Sequence, residues 1–99
     1  MNHTTAPLEE ILDEVRRACA KFPLWPIDPL HAVAVLSEEA GELVKATLEA
    51  VYEPRKAGPA QMREEAVQVA AMAIRFLGGM DTYDFTPGRQ ITQRVEEVP

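Results

Sequence analysis

An all-α fold follows from three observations. Apolar residues recur at helical spacing in three stretches, prolines and glycines gather between those stretches with Gly41 the exception, and no run alternates apolar and polar residues as a strand would. The expected architecture is an antiparallel helical bundle completed by oligomerisation. From Leu8, the residues Leu8, Ile11, Leu12, Val15, Cys19 and Phe22 form a narrow apolar stripe, with acids and arginines on the remaining positions. Thr5 or its neighbour can cap this first helix, Pro7 is tolerated in its first turn, and the helix should end near Lys21. Cys19 lies on the stripe, so a buried, inert thiol is expected there.

Lys21 to Pro29 carries Pro23, Pro26 and Pro29. These remove amide donors and push the preceding residues toward extended geometry, giving a stiff loop that presents Phe22 and Trp25. Asp28-Pro29 then reads as an N-cap followed by proline at the first helical position. The second helix, about Leu30 to Tyr52, would be roughly 35 Å long. Glu53 to Pro59 is a turn, and a third helix runs from about Ala60 to Leu77, stopped by Gly78-Gly79. Residues 79–99 read as a tail or a short helix, because Ile91, Val95 and Val98 fit helical spacing.

A chain of 99 residues with 46% hydrophobic content fits one domain, residues 1–99, with its core at about residues 8–78. The formal net charge of −6 argues against a polyanionic nucleic-acid partner, since phosphate neutralisation needs a basic surface. One cysteine precludes an internal disulfide, and no apolar leader follows Met1, so a cytoplasmic location is expected. No stretch has the roughly 20 apolar residues of a membrane span.

Function is suggested where the helical pattern breaks. At 100° per residue, Val33, Val35, Leu36, Ala40, Leu43, Ala46, Ala50 and Val51 form one broad apolar face on the second helix. Glu39 falls inside it and Glu42 at its border. On the third helix, Glu65 sits at the margin of the face made by Met62, Ala66, Val69, Ala70, Ala73 and Leu77. An ionised carboxylate in low dielectric protonates or finds a positive partner. Lys45 and Arg75 flank these faces but are too few for the clustered acids. A lone E-E-x-x-E is ordinarily a solvated surface. Two intrusions on helices joined by a short turn favour a divalent cation instead, and hard oxygen donors point to Mg2+ or Mn2+ rather than zinc. A P-loop is absent from the sequence, and a Glu-x-x-His di-iron motif is not formed.

The segment Glu38-Glu39-Ala40-Gly41-Glu42-Leu43, followed by Glu65-Ala66-Val67-Gln68-Val69, resembles the E-E-x-x-E … E-x-x-D signature of the MazG-like all-α nucleoside triphosphate pyrophosphohydrolases. The likeness covers about residues 22–77. It implies a four-helix-bundle-like fold assembled as a homodimer or homotetramer, and Mg2+-dependent cleavage of a nucleoside triphosphate between its α and β phosphates. Glu39, Glu42 and Glu65 match the family's metal ligands. Glu38 matches the leading acid, expected to bind a further metal or to orient and deprotonate the attacking water. Where the family has Asp, this chain has Gln68, which offers a neutral carbonyl oxygen. The resemblance therefore admits two functions, a nucleotide pyrophosphohydrolase or a module that binds nucleotides or proteins without turnover. Lys45 and Arg75 are candidates for the outer phosphates or ordinary surface residues. Trp25 or Phe22 can stack a base or plug the bundle end, and His31, about two turns before Glu38, is placed to touch a nucleotide.

Overall fold

The structure, a computed structural model, describes residues 5–56 and 58–88. Among them are three helices and no strand: α1 (Thr5–Lys21), α2 (Pro29–Tyr52) and α3 (Pro59–Gly78). The suggested helix at Ile91, Val95 and Val98 lies outside the described residues. No helix among the described residues is long and apolar enough to cross a membrane.

The boundaries follow from local chemistry. Thr5 is the first residue of α1, so of the two cap candidates, Thr5 or its neighbour, the position falls on the neighbour, which lies outside the described residues. Asp28 caps α2 as its sequence suggests: its backbone is extended and its carboxylate accepts from the Leu30 amide at 2.9 Å, with Pro29 at the first helical position. Such a cap is worth about 1 kcal/mol. At the far end, the Glu53 amide still reaches the Glu49 carbonyl at 2.7 Å before the turn into α3. Gly58 and Pro59 open α3.

The stop at Gly79 has a different cause from the left-handed cap that a glycine pair suggests. Its φ of −88° is right-handed, open to any residue. What requires glycine is crowding, because a Cβ there would lie 2.7 Å from the Tyr83 ring and 3.0 Å from Trp25 Cδ1. The chain after α3 therefore folds back beneath its own end. Tyr83 is buried, and the Asp84 amide donates to the Ile27 carbonyl at 2.9 Å.

α3 lies between the other two helices, which pack on it and not on each other. α2 returns antiparallel to α3 after the short turn. α1 runs parallel to α3, since Glu10 meets Arg63 at one end while Arg75 donates to the Phe22 carbonyl at 2.6 Å at the other. The proline loop thus crosses from one side of α3 to the other. A cluster of Ala18, Ala71 and Met72, with Val15, Trp25, Val35 and Leu36 against it, joins the three helices.

This core is thin. The buried hydrophobic residues are Ala18, Ala32, Ala46, Ala71, Met72 and Tyr83, and among the described residues no large side chain is fully buried. The alanines let the helices approach closely, but each removes little apolar surface from water. Cys19, expected in the core, is exposed. α1 meets only α3, along Glu14, Val15 and Ala18, so the stripe of Leu8, Leu12 and Cys19 is turned about 90° away from it. The broad face of α2 divides likewise: Val35, Leu36 and Ala46 meet α3, while Val33 and Val51 are exposed.

Three helices in the order α1, α3, α2 make a single layer with two faces. On α3, Gln61, Glu65, Gln68, Met72 and Arg75 follow one another at steps of three and four residues and line clefts on the front. Met62, Ala66, Ala70, Ala73 and Leu77 do so on the back, where Ile11 and Leu43 join Met62 and Ala66 around an apolar cleft of about 370 Å³.

Candidate functional site

Two clefts open on the front. The first, about 380 Å³, lies above α3 between α1 and α2; Glu14, His31, Glu39, Gln68, Trp25 and Arg75 all line it. The second, about 550 Å³, lies toward the α2–α3 turn and holds Glu42, Lys45 and Glu65 together with Glu49 and Lys56. Glu38 is exposed on α2 and lines neither of them.

The aromatic end of the first cleft is fully committed. The Trp25 indole N–H donates to the Tyr83 hydroxyl at 2.8 Å, which in turn donates to the Phe76 carbonyl at 2.8 Å. The Arg75 guanidinium sits 4.8 Å from the Trp25 ring centroid while bonded to the Phe22 carbonyl, so one face of the indole already carries a cation. Trp25 is thus a plug tied to the end of the layer, and Arg75 reaches the cleft only as part of that tie. Phe22 is exposed, with the Lys21 ammonium 5.4 Å from its ring centroid.

The acidic middle is the opposite case. Burial is the main influence that raises the Glu39 pKa above its ordinary value, followed by the charges of Glu65, Glu42, Glu38 and Glu14. All four neighbours carry the same sign. Glu14 is shifted the other way, held below its ordinary value first by its hydrogen bonds to Arg17, against burial, with a further hydrogen bond from Gln68. Arg17 spans both its carboxylate oxygens, with Nε at 2.8 Å. Glu65 accepts from Gln61 Nε2 at 2.9 Å.

The acids that the sequence singles out on α2 and α3 are close enough to raise Glu39 together, yet they open onto two clefts. Glu39 and Gln68 share the first, Glu42 and Glu65 the second. Among the described residues no three His, Cys, Asp or Glu side chains are drawn together closely enough to hold a metal ion. The donor chemistry nonetheless suits a hard divalent cation. Glu39, Glu42 and Glu65 offer charged oxygens, Gln68 a neutral one, and the field at Glu39 is one that positive charge would relieve.

Glu14 is the residue that sequence reasoning misses. On α1 it reads as a surface acid paired i, i+3 with Arg17, and only the parallel packing of α1 on α3 brings it to Gln68 and Glu39. Its one sequence signal is position: it lies a single residue from Val15 of the apolar stripe. Tyr83 gives no periodic signal. In comparisons with known proteins, no family model, curated protein or solved structure matched the chain.

Proposed function

We propose that this chain is a Mg2+-dependent nucleotide pyrophosphohydrolase of the MazG-like type, acting in the cytoplasm as a homodimer or homotetramer and converting nucleoside triphosphates to monophosphates and pyrophosphate. The observation that carries this reading is the pressure on Glu39. A half-buried carboxylate surrounded by four further acids costs stability, and a site for a divalent cation gives such an arrangement a use.

In this reading Glu39 and Glu42 from α2, and Glu65 from α3, would hold the metal, with the Gln68 carbonyl as a neutral donor. Mn2+ would serve in place of Mg2+. A cation held by these residues would offset charge on the phosphate oxygens and lower the pKa of a bound water. Glu38, exposed on α2 next to Glu39 in sequence, would orient that water and accept its proton. His31 and the open part of the first cleft take the nucleoside. Lys45, beside Glu42 and Glu65, faces the outer phosphates, while Arg75 closes the cleft through its hold on Trp25 and the Phe22 carbonyl.

A panel of ribo- and deoxyribonucleoside triphosphates with Mg2+, assayed for pyrophosphate, tests this. Release with at least one nucleotide is expected, reduced on the order of 100-fold or more in Glu39→Gln. No release with any nucleotide, or undiminished release by the variant, would sink the proposal.

One observation favours a second reading, a bundle that binds nucleotides or a protein partner without turnover. Gln68 stands where the family has an acid, and it lines the first cleft beside Glu14, so one of the four donors is uncharged. Calorimetry separates the two: saturable nucleotide binding without product supports the second, and Gln68→Asp creating activity would explain it.

A further inference from the structure

We infer that the first cleft selects nucleotides whose base presents acceptors at its far edge, the keto bases guanine and thymine or uracil, over the amino bases adenine and cytosine. This rests on the nucleotide reading above and narrows its substrate class. The observation behind it is an order shared by all three helices. Because α1 runs parallel to α3 and α2 antiparallel, the residues lining the cleft fall into one sequence along it: Glu14, Ala18 and Lys21 on α1, Gln68, Met72 and Arg75 on α3, and Glu39, Val35 and His31 on α2. One end is acidic or amide, the waist is apolar and the other end is basic. The two ends lie seven or eight residues apart on every helix, about 10–12 Å at 1.5 Å per residue.

A nucleotide laid along the cleft with its phosphates toward Glu39 rests its sugar and base on the apolar waist. The far edge of the base then meets the basic end. Two of the three side chains there, Lys21 and Arg75, donate hydrogen bonds and accept none. Among the described residues Arg16, Arg17, Lys56 and Arg63 are each paired with a carboxylate, whereas Lys21 and Arg75 are not. Arg75 gives an N–H to the Phe22 carbonyl and stacks on Trp25, which fixes the plane of its guanidinium while leaving it further donors. Guanine carries acceptors at O6 and N7 and thymine at O4, so both match such an end. Adenine and cytosine turn an amino group toward it instead, a donor facing donors, and the Phe22 carbonyl already accepts from Arg75. A site built to donate discriminates against the base that lacks the acceptor.

Calorimetry of the full chain with Mg2+ and the α,β-methylene analogues of dGTP, dTTP, dATP and dCTP tests this apart from turnover, since the four share a sugar and resist cleavage between the α and β phosphates. The dGTP and dTTP analogues are expected to bind roughly tenfold or more tightly than the other two. Arg75→Gln, whose amide both donates and accepts, should abolish the preference or turn it toward adenine. Lys21→Gln, at an exposed position outside the Trp25–Tyr83 tie, should narrow the preference with the fold intact. The readout is the ratio between bases, because loosening the proline loop alone would weaken all four analogues alike. Equal binding of the four, tighter binding of the amino bases, or a ratio unchanged in both variants overturns the inference and leaves the nucleotide reading standing. No binding of any analogue overturns both.

Discussion

The two ends of the front face handle polar groups in opposite ways. Where the proline loop crosses α3, the polar side chains are tied to partners: Trp25 donates to Tyr83, Tyr83 to the Phe76 carbonyl and Arg75 to the Phe22 carbonyl, over a glycine that leaves room for the rings. In the middle of the layer, Glu39 is half-buried among Glu14, Glu38, Glu42 and Glu65, and their charges disfavour its ionised form. The first region closes the fold. The second works against it, and residues kept at a cost to stability are where function is best sought.

The contrast can be broken most forcefully at the closed end. Gly79→Val puts side-chain carbon inside the van der Waals radius of Tyr83 and Trp25, and we expect a loss of about 2–3 kcal/mol, measured by urea unfolding. Trp25→Phe keeps the ring but removes the donor to Tyr83 at the cost of about 1 kcal/mol; Tyr83 retains its bond to Phe76, so the loss should stop there. A second glycine sharpens the comparison. Gly41, on α2 among the acids, has nothing within 4 Å of an added Cβ, so Gly41→Ala is expected to stabilise by about 0.5–1 kcal/mol, opposite in sign to any substitution at Gly79.

The smallest effect is a pH dependence at Glu39. Its folded pKa is raised above the unfolded value, so the folded state binds the extra proton and stability falls as pH rises from the unfolded pKa through the folded one. Glu39→Gln removes that penalty. The variant should be more stable than wild type at pH 7, and the difference should disappear as the pH falls below the unfolded pKa. Glu14 has the opposite sign. Its depressed pKa contributes stability above its unfolded value that is lost on acidification, so Glu14→Gln should be less stable than wild type at pH 7.

Local features of this chain are legible in its sequence. The prolines, Asp28 and the E-P-R-K-A-G-P turn place three helices to within about three residues, and the break in apolar periodicity finds Glu39, which is half-buried among other acids. Lateral order is not legible. Periodicity shows that a helix has an apolar stripe but not which neighbour covers it, and a reader of the stripe alone puts Cys19 in the core and leaves Glu14 on the surface. Placing α3 between the other two, with α1 parallel to it, reverses both assignments. Tyr83 was out of reach for a similar reason, because its partners lie on the far side of a loop crossing.

The central claim is that the acidic middle of the front face is a cation site. Thermal unfolding at pH 7 with increasing Mg2+ or Mn2+, on wild type and Glu39→Gln side by side, tests it without reference to any substrate. A saturable rise in Tm for wild type, reaching several degrees at about 100 times Kd and lost in the variant, is the result predicted here. A wild-type Tm unmoved by either ion, or an equal rise in both proteins, would contradict it.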